Sequence, residues 1–273
     1  NILVDLDASI VIPHNYYLER KETGESDLFY EDIAIQTAAG VPNISFSDFD
    51  VITTEVSYTY RIRIENICND PVGTSNIGRT MLLSGIANTQ RLVNTIFWTE
   101  YGDWLGDVSH YNIYRSENPG DPGVLLTSMP DGVTFFEDDV SQLLFTPGEF
   151  CYIVEAVQDN NPLGYNGISF SNEFCLTQPP KIWVPNAFMV HGFNTIFKPI
   201  ISFADFDNYK FIVMSKWGDV IFTSTDIDLG WDGTMNGELV PEGVYAWYLS
   251  VYDGSGRIYE ERGSVTMLIA DPE

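Results

Sequence analysis

Three histidines (His14, His110, His191) and three cysteines (Cys68, Cys151, Cys175) are the residues of this 273-residue chain best suited to metal or nucleophile chemistry. Their spacing argues against it. No His-x-x-x-His or His-Glu-x-x-His arrangement is present, which would set two imidazoles on one helix face. No Cys-x-x-Cys pair exists, so a tetrahedral zinc site is not expected. The Gly-x-Ser-x-Gly elbow of a nucleophilic serine is missing, as is a glycine-rich phosphate loop ending in Lys-Ser/Thr. Carboxylates are plentiful, but they concentrate near turns, where solvated charge is expected. Two acidic clusters, Asp48/Asp50 and Glu137/Asp138/Asp139, precede strand-like runs. They are read as a shared turn that starts a strand. Calcium ligation is the alternative, without the denser oxygen pattern of an EF-hand loop. The expectation is a non-enzymatic chain with no catalytic, cofactor-binding or metal residues.

Cys151 and Cys175 bracket two late strand-like runs, and a disulfide between them is expected. It would imply an oxidising compartment. Cys68 is either buried and reduced or paired with a residue before Asn1.

The charge narrows the partners. With 39 Asp+Glu against 13 Lys+Arg, the formal net charge is −26. It is spread as −8 over 1–88, −11 over 89–178 and −7 over 179–273, so no single tail carries it. Such a surface repels nucleic acid and anionic bilayers. The apolar runs are too short to span a membrane. Hydrophobic residues at 44% and aromatics at 14% suffice for packed cores. The chain opens at Asn1 without Met or signal peptide, and this is read as a fragment boundary.

Short β-type runs must position whatever sites exist. They include Tyr58–Ile64, Cys151–Val157 and Val244–Val251, separated by turn chemistry such as Asp131-Gly132 and Asp253-Gly254-Ser255-Gly256. No long helical periodicity is found. The pattern predicts an all-β chain of tandem β-sandwiches.

An internal repeat spans the first two thirds. One copy runs from Tyr16-Tyr17-Leu18-Glu19-Arg20 through Phe46–Asp50 and Tyr58-Thr59-Tyr60-Arg61 to Ser75-Asn76. The other runs from Tyr111-Asn112-Ile113-Tyr114-Arg115 through Phe135–Asp139 and Phe150-Cys151-Tyr152 to Ser171-Asn172. Tyr16 to Asn76 spans 60 residues and Tyr111 to Asn172 spans 61. The copies resemble fibronectin type III domains, with Trp98, Tyr111 and Tyr152 as core aromatics. The equivalent of Trp98 in the first copy falls near Leu3, so that copy lacks its opening strand. The resulting division is 1–88, an N-terminally incomplete module; 89–178, a second module; and 179–273, set off by Pro179-Pro180.

The last segment carries five ordered motifs. They are Pro185-Asn186-Ala187-Phe188, Lys216-Trp217-Gly218, Gly230-Trp231-Asp232-Gly233, Gly243-Val244-Tyr245 and Gly263-Ser264-Val265-Thr266. Trp217 and Trp231 are both expected to cover the ends of a small sandwich. The set resembles the type B C-terminal domain of the Bacteroidota type IX secretion system, also called the gliding-motility-associated C-terminal domain, over roughly residues 181–269. Two departures stand out. The acidic loop usual after the opening motif is replaced by Met189-Val190-His191-Gly192-Phe193-Asn194, and the usual Arg is Lys216, which keeps the charge but not the planar fork. The resemblance implies a secretion and sorting signal, recognised by an outer-membrane translocon and a barrel protein that retains the cargo at the cell surface. A sheet edge or the terminal strand Val265–Ile269 offers main-chain pairing to a partner, or simply completes its own sandwich. The parent is expected to be an adhesin or gliding-associated protein. Accessory modules of a secreted enzyme, binding carbohydrate or cell wall, are the alternative.

Overall fold

A computed structural model describes residues 1–164, 166–192 and 194–270. It is all-β, with one 3-10 turn at Asp27–Phe29 as its only helical element among these residues.

The first unit holds β1 (Ile2–Asp5), β2 (His14–Glu22), β3 (Glu31–Ala38), β4 (Asn43–Phe46), β5 (Tyr58–Asn66), β6 (Pro71–Thr74) and β7 (Gly78–Arg79). One sheet runs β3-β2-β5-β6 with β7 also on β5, and β1-β4 forms the other. Period-two alternation explains the core. Tyr16 and Leu18 of β2, Ile44 and Phe46 of β4, and Tyr58, Tyr60 and Ile62 of β5 are buried together. Leu3 is exposed, while its neighbours Ile2 and Val4 pack against the core.

The second unit holds β8 (Leu83–Asn88), β9 (Val93–Trp98), β10 (Asp107–Ser116), β11 (Val124–Pro130), β12 (Phe135–Asp139), β13 (Glu149–Asp159), β14 (Ile168–Phe170) and β15 (Phe174–Thr177). Sheet β12-β9-β8 faces β11-β10-β13-β14, with β15 also on β13. Trp98, Tyr111 and Tyr152 lie buried between the sheets. β8, on the near side of the expected division at 88/89, pairs with β9 along Leu83–Asn88 and so stands with the second sandwich. Both units have the fibronectin III-like arrangement, with β1 to β7 in the places of β9 to β15.

The third unit holds β16 (Lys181–Trp183), β17 (Ala187–Val190), β18 (Ile200–Ser202), β19 (Asp205–Met214), β20 (Val220–Ser224), β21 (Thr234–Met235), β22 (Glu238–Leu239), β23 (Gly243–Tyr252) and β24 (Ile258–Ile269). The main sheet runs β17-β24-β23-β19-β20. Its inner face packs with the small pair β16-β18 and Trp231 around a large core. β17 and β24 are parallel, pairing Ala187–Val190 with Thr266–Ile269. Val265–Met267 also pair with β23 on the other side. The terminal strand is thus inside its own sheet there, and the outermost strands are β17 and β20.

Pro179-Pro180 does not free the third unit from the second. Phe203, although just past β18, is fully buried in the second unit's core, 6.3 Å from Phe150 edge-on. Its φ of +56° is costly for a bulky residue. The bond from its N–H to Leu144 O (2.9 Å) and the burial of its ring hold it there. Gly148 makes room. A Cβ at that position would lie 2.5 Å from Gln178 O and 2.8 Å from Phe203 Cβ.

Candidate functional site: the C-terminal sandwich and its motifs

Four of the five motifs are structural. Pro185 and Phe188 are buried, and Asn186 O accepts from Thr266 N–H at 2.9 Å, which starts the parallel pairing of β17 with β24. Trp231 is fully buried. Its ring lies 5.2 Å from Phe188 and 4.9 Å from Tyr245, and its Nε1–H donates to Thr234 O at 2.9 Å. An isolated bridge joins Trp231 to Phe197 through paired bonds of 2.8 and 2.9 Å. That approach is why position 230 is glycine, because a Cβ there would meet Ile196 Cγ2 at 2.4 Å and Phe197 O at 2.9 Å. Asp232 Oδ1 accepts from Thr234 N–H and Oγ1–H, and Gly233 takes the positive φ of +87° that the turn needs.

Gly243 opens β23, and two residues on Tyr245 donates its hydroxyl to Pro241 O. Gly263 lies under the indole of Trp247, where a Cβ would sit 2.7 Å from Cζ2. Val265 is fully buried.

Lys216-Trp217-Gly218 differs. It forms the tip of the β19–β20 hairpin, closed by Ser215 N–H to Asp219 O (2.9 Å) and Gly218 N–H to Ser215 O (3.0 Å). Gly218 supplies the left-handed φ of +90°. Trp217 is 81% exposed, against the expectation that it covers an end of the sandwich. The hairpin carries its ring away from the core cluster, beside the Lys216 ammonium, 5.1 Å from the ring centre. Of the Met189–Asn194 loop, Phe193 lies outside the described residues. His191 takes φ +66° there, and Met189 N–H donates to Asn194 O at 2.9 Å.

The acidic clusters upstream have a different use. Asp138 takes two bonds from Arg115 Nη1 (2.9 and 2.7 Å) and one from the Tyr152 hydroxyl (2.8 Å). Asn94 Nδ2 donates to the same hydroxyl at 2.9 Å, and Gln178 Nε2 donates to Asn94 Oδ1 at 2.9 Å. The first unit repeats the centre of this network. Arg20 Nη1 donates to Asp48 Oδ2 at 2.9 Å, and the Tyr60 hydroxyl donates to the same oxygen at 3.0 Å. Burial first, then the Asp138 charge, pushes the Tyr152 phenol far above its ordinary value; Tyr60 is raised by burial and Asp48 in the same way. These are clamps between sheets, and both central carboxylates are already engaged.

Ser75 and Ser171 also match. Each Oγ accepts from the backbone N–H of β5 or β13, Ile62 at 2.9 Å and Val154 at 3.0 Å. The repeat motifs are therefore hydrogen-bonding positions of the sandwich. Asn94, Gln178 and Phe203 carried no local signal, because their partners are distant in sequence.

Cys151 and Cys175 are directly opposed on β13 and β15 and are joined by a disulfide, with Cα atoms 3.9 Å apart. Cys68 is exposed and free. The one group of three candidate metal ligands among the described residues is Glu149 with Cys151 and Cys175, whose sulfurs are bonded to each other. His14, His110 and His191 stand on β2, on β10 and after β17. No helix among the described residues is long and apolar enough to cross a membrane.

Fold and motifs together define a class: tandem fibronectin III-like sandwiches followed by a compact C-terminal β-sandwich built around an ordered motif set. Residues 182–267 match the family model described as the CHU_C type IX secretion signal domain. A domain of this family implies a secretion signal at the C-terminus of a cell-surface protein and export across the outer membrane by the type IX machinery.

Among solved structures, the chain is similar to the tetra-tandem repeat in the extending region of a large adhesion protein. Identity is 12% and the TM-score 0.38, over 93% of this chain and 66% of that one. It is also similar to the fibronectin(III)-like modules of Clostridium thermocellum CbhA, at 14% identity and TM-score 0.23 over 66% of this chain and 87% of that one. The chain thus spans just under two thirds of the adhesion-protein structure. No curated protein matches the sequence.

Proposed function

We propose that residues 179–273 are the address of a surface-retained, non-enzymatic protein of the adhesin or gliding-associated kind, and that the two upstream sandwiches space its working part from the membrane. The family match over residues 182–267 carries this reading. The packing supports it. Four motifs build one closed core, so the address is a folded surface that a translocon and a retaining barrel protein read, and not a linear peptide. The upstream units fit a spacer. Their paired carboxylates hold sheets together through Arg20 and Arg115, and their three aromatic markers Trp98, Tyr111 and Tyr152 are core residues.

The test is a periplasmic reporter fused ahead of the whole chain in a bacterium with a type IX system. Surface labelling of the reporter in that strain, and its loss in a translocon-deficient strain, is the expected outcome. Retention of the fusion in the periplasm of the intact strain would sink the proposal.

A further inference from the structure

The outer face of the main C-terminal sheet breaks the rule for a solvated antiparallel sheet, which alternates apolar-in with polar-out. Its inner residues are apolar, as expected. Yet at one end its outer residues are apolar as well. Met189 on β17 neighbours Leu268 on β24. Val244 and Ala246 follow on β23, then Met214 on β19 and Val220 on β20. On β24 the outer-face partners of Val244 and Ala246 are Thr266 and Ser264. The continuous apolar band therefore covers β23, β19 and β20, with Leu268 and Met189 beyond Thr266. Val244 and Val220 are 59% and 53% exposed. Trp217 stands at the end of the band, because Met214 and Val220 flank its hairpin. A contiguous exposed apolar patch with a protruding indole marks an interaction surface.

The charge is equally out of character. In a chain of net charge −26, the strand residues on this outer face that carry charge are Lys210, Arg262, Glu260 and, paired with Tyr252 at the far end, Asp205. The one nearest the band is Arg262, opposite Tyr248. Glu260 accepts a bond from the Tyr248 hydroxyl beside it. Lys216 adds a cation at the rim, and Asp219 on the same turn is bonded to Ser215. The band is also well placed. The turn at the far end of β23 touches the second sandwich through Gly254 N–H to Pro147 O at 2.8 Å. The band lies at the opposite end of that strand, roughly 30 Å away at the usual rise per residue.

We infer that this face, centred on Trp217 and Val244, is the docking surface for a partner protein that presents apolar side chains with acidic groups placed to meet Arg262 and Lys216. The inference rests on the secretion-signal reading and makes the partner a component of the export machinery. A second copy of the chain and an anionic bilayer fit less well, since both would meet the repulsion of the −26 charge.

The experiment uses the reporter fusion of the full chain in three forms: unchanged, W217A/V244E, and W183A. Trp183 is 59% exposed on β16 of the same domain and controls for loss of any surface indole. The expected result is surface display of the unchanged and W183A fusions and about tenfold less for W217A/V244E, with equal thermal midpoints of the purified chains. If W217A/V244E melts lower, W217A alone, at an exposed turn, carries the readout.

Display of W217A/V244E, or of W217A where it replaces it, at the unchanged level overturns the inference and leaves the signal reading standing. Equal loss in W183A overturns the assignment to this face. Failure of the unchanged fusion overturns both. Sedimentation of the full chain and flotation with phosphatidylglycerol vesicles complete the test. Self-association or vesicle binding that W217A/V244E abolishes would reassign the face and overturn the protein partner.

Discussion

Asp138 and Tyr152 show how single residues were both legible and misleading. Their place in a repeat was visible from spacing, and the alternation of β13 put Tyr152 in the core. Their partnership was not visible, because Arg115, Asp138, Tyr152, Asn94 and Gln178 come from separate parts of the chain. The clamp has a pH signature. A phenol whose folded pKa is raised is neutral in the fold, while the unfolded chain ionises near pH 10. Stability from Tyr152 is therefore fully present below about pH 10 and is lost as pH rises from there toward the folded value. Urea unfolding between pH 8 and pH 11 should show the midpoint falling above pH 10. Tyr152→Phe should start lower, having lost the bonds to Asp138 and Asn94, and then fall less steeply. An unchanged alkaline slope in Tyr152→Phe would place the effect elsewhere.

At the element scale, the strands were readable because a half-buried strand writes its face into its sequence every second residue. Pairing between distant strands was not. β24 sits between β23 and the parallel β17, a choice made by the Phe188 and Val265 side chains packing into one core. The local sequence of the β19–β20 turn specified its glycine but not the side on which Trp217 would emerge. β13 and β15 illustrate a covalent version of the same point. Their disulfide spans a sequence separation of 24, for which loop-closure arguments give roughly 3 kcal/mol. Cys151→Ser/Cys175→Ser should lower the stability of the second sandwich by about that amount in denaturant titration. Reduction of the parent chain should do the same.

Across the whole molecule, the C-terminal domain is less separable than its proline boundary suggests. Phe203 belongs by sequence to the third unit and by packing to the second, with Gly148 and Gln178 shaping its seat. Phe203→Ala should cost about 3–5 kcal/mol, as other buried Phe→Ala changes do. Hydrogen exchange should show the loss in the strands around Phe150 as well as in the C-terminal domain. A loss confined to the C-terminal domain would mean that the contact does not couple the two units. The acidic charge acts at this scale too. It is distributed over all three units and is offset on one sheet face by Lys210 and Arg262, which is where an apolar partner can approach against less like charge.

Sequence alone determined the all-β class, the repeat and the ordered motifs of the secretion signal, because these depend on local turn chemistry and period-two burial. The tertiary structure decided which motif residues are framework and which is exposed, that β8 joins the second sandwich, and that Phe203 links two units. Each of those depends on contacts between residues far apart in the chain, and only the closed core selects among them.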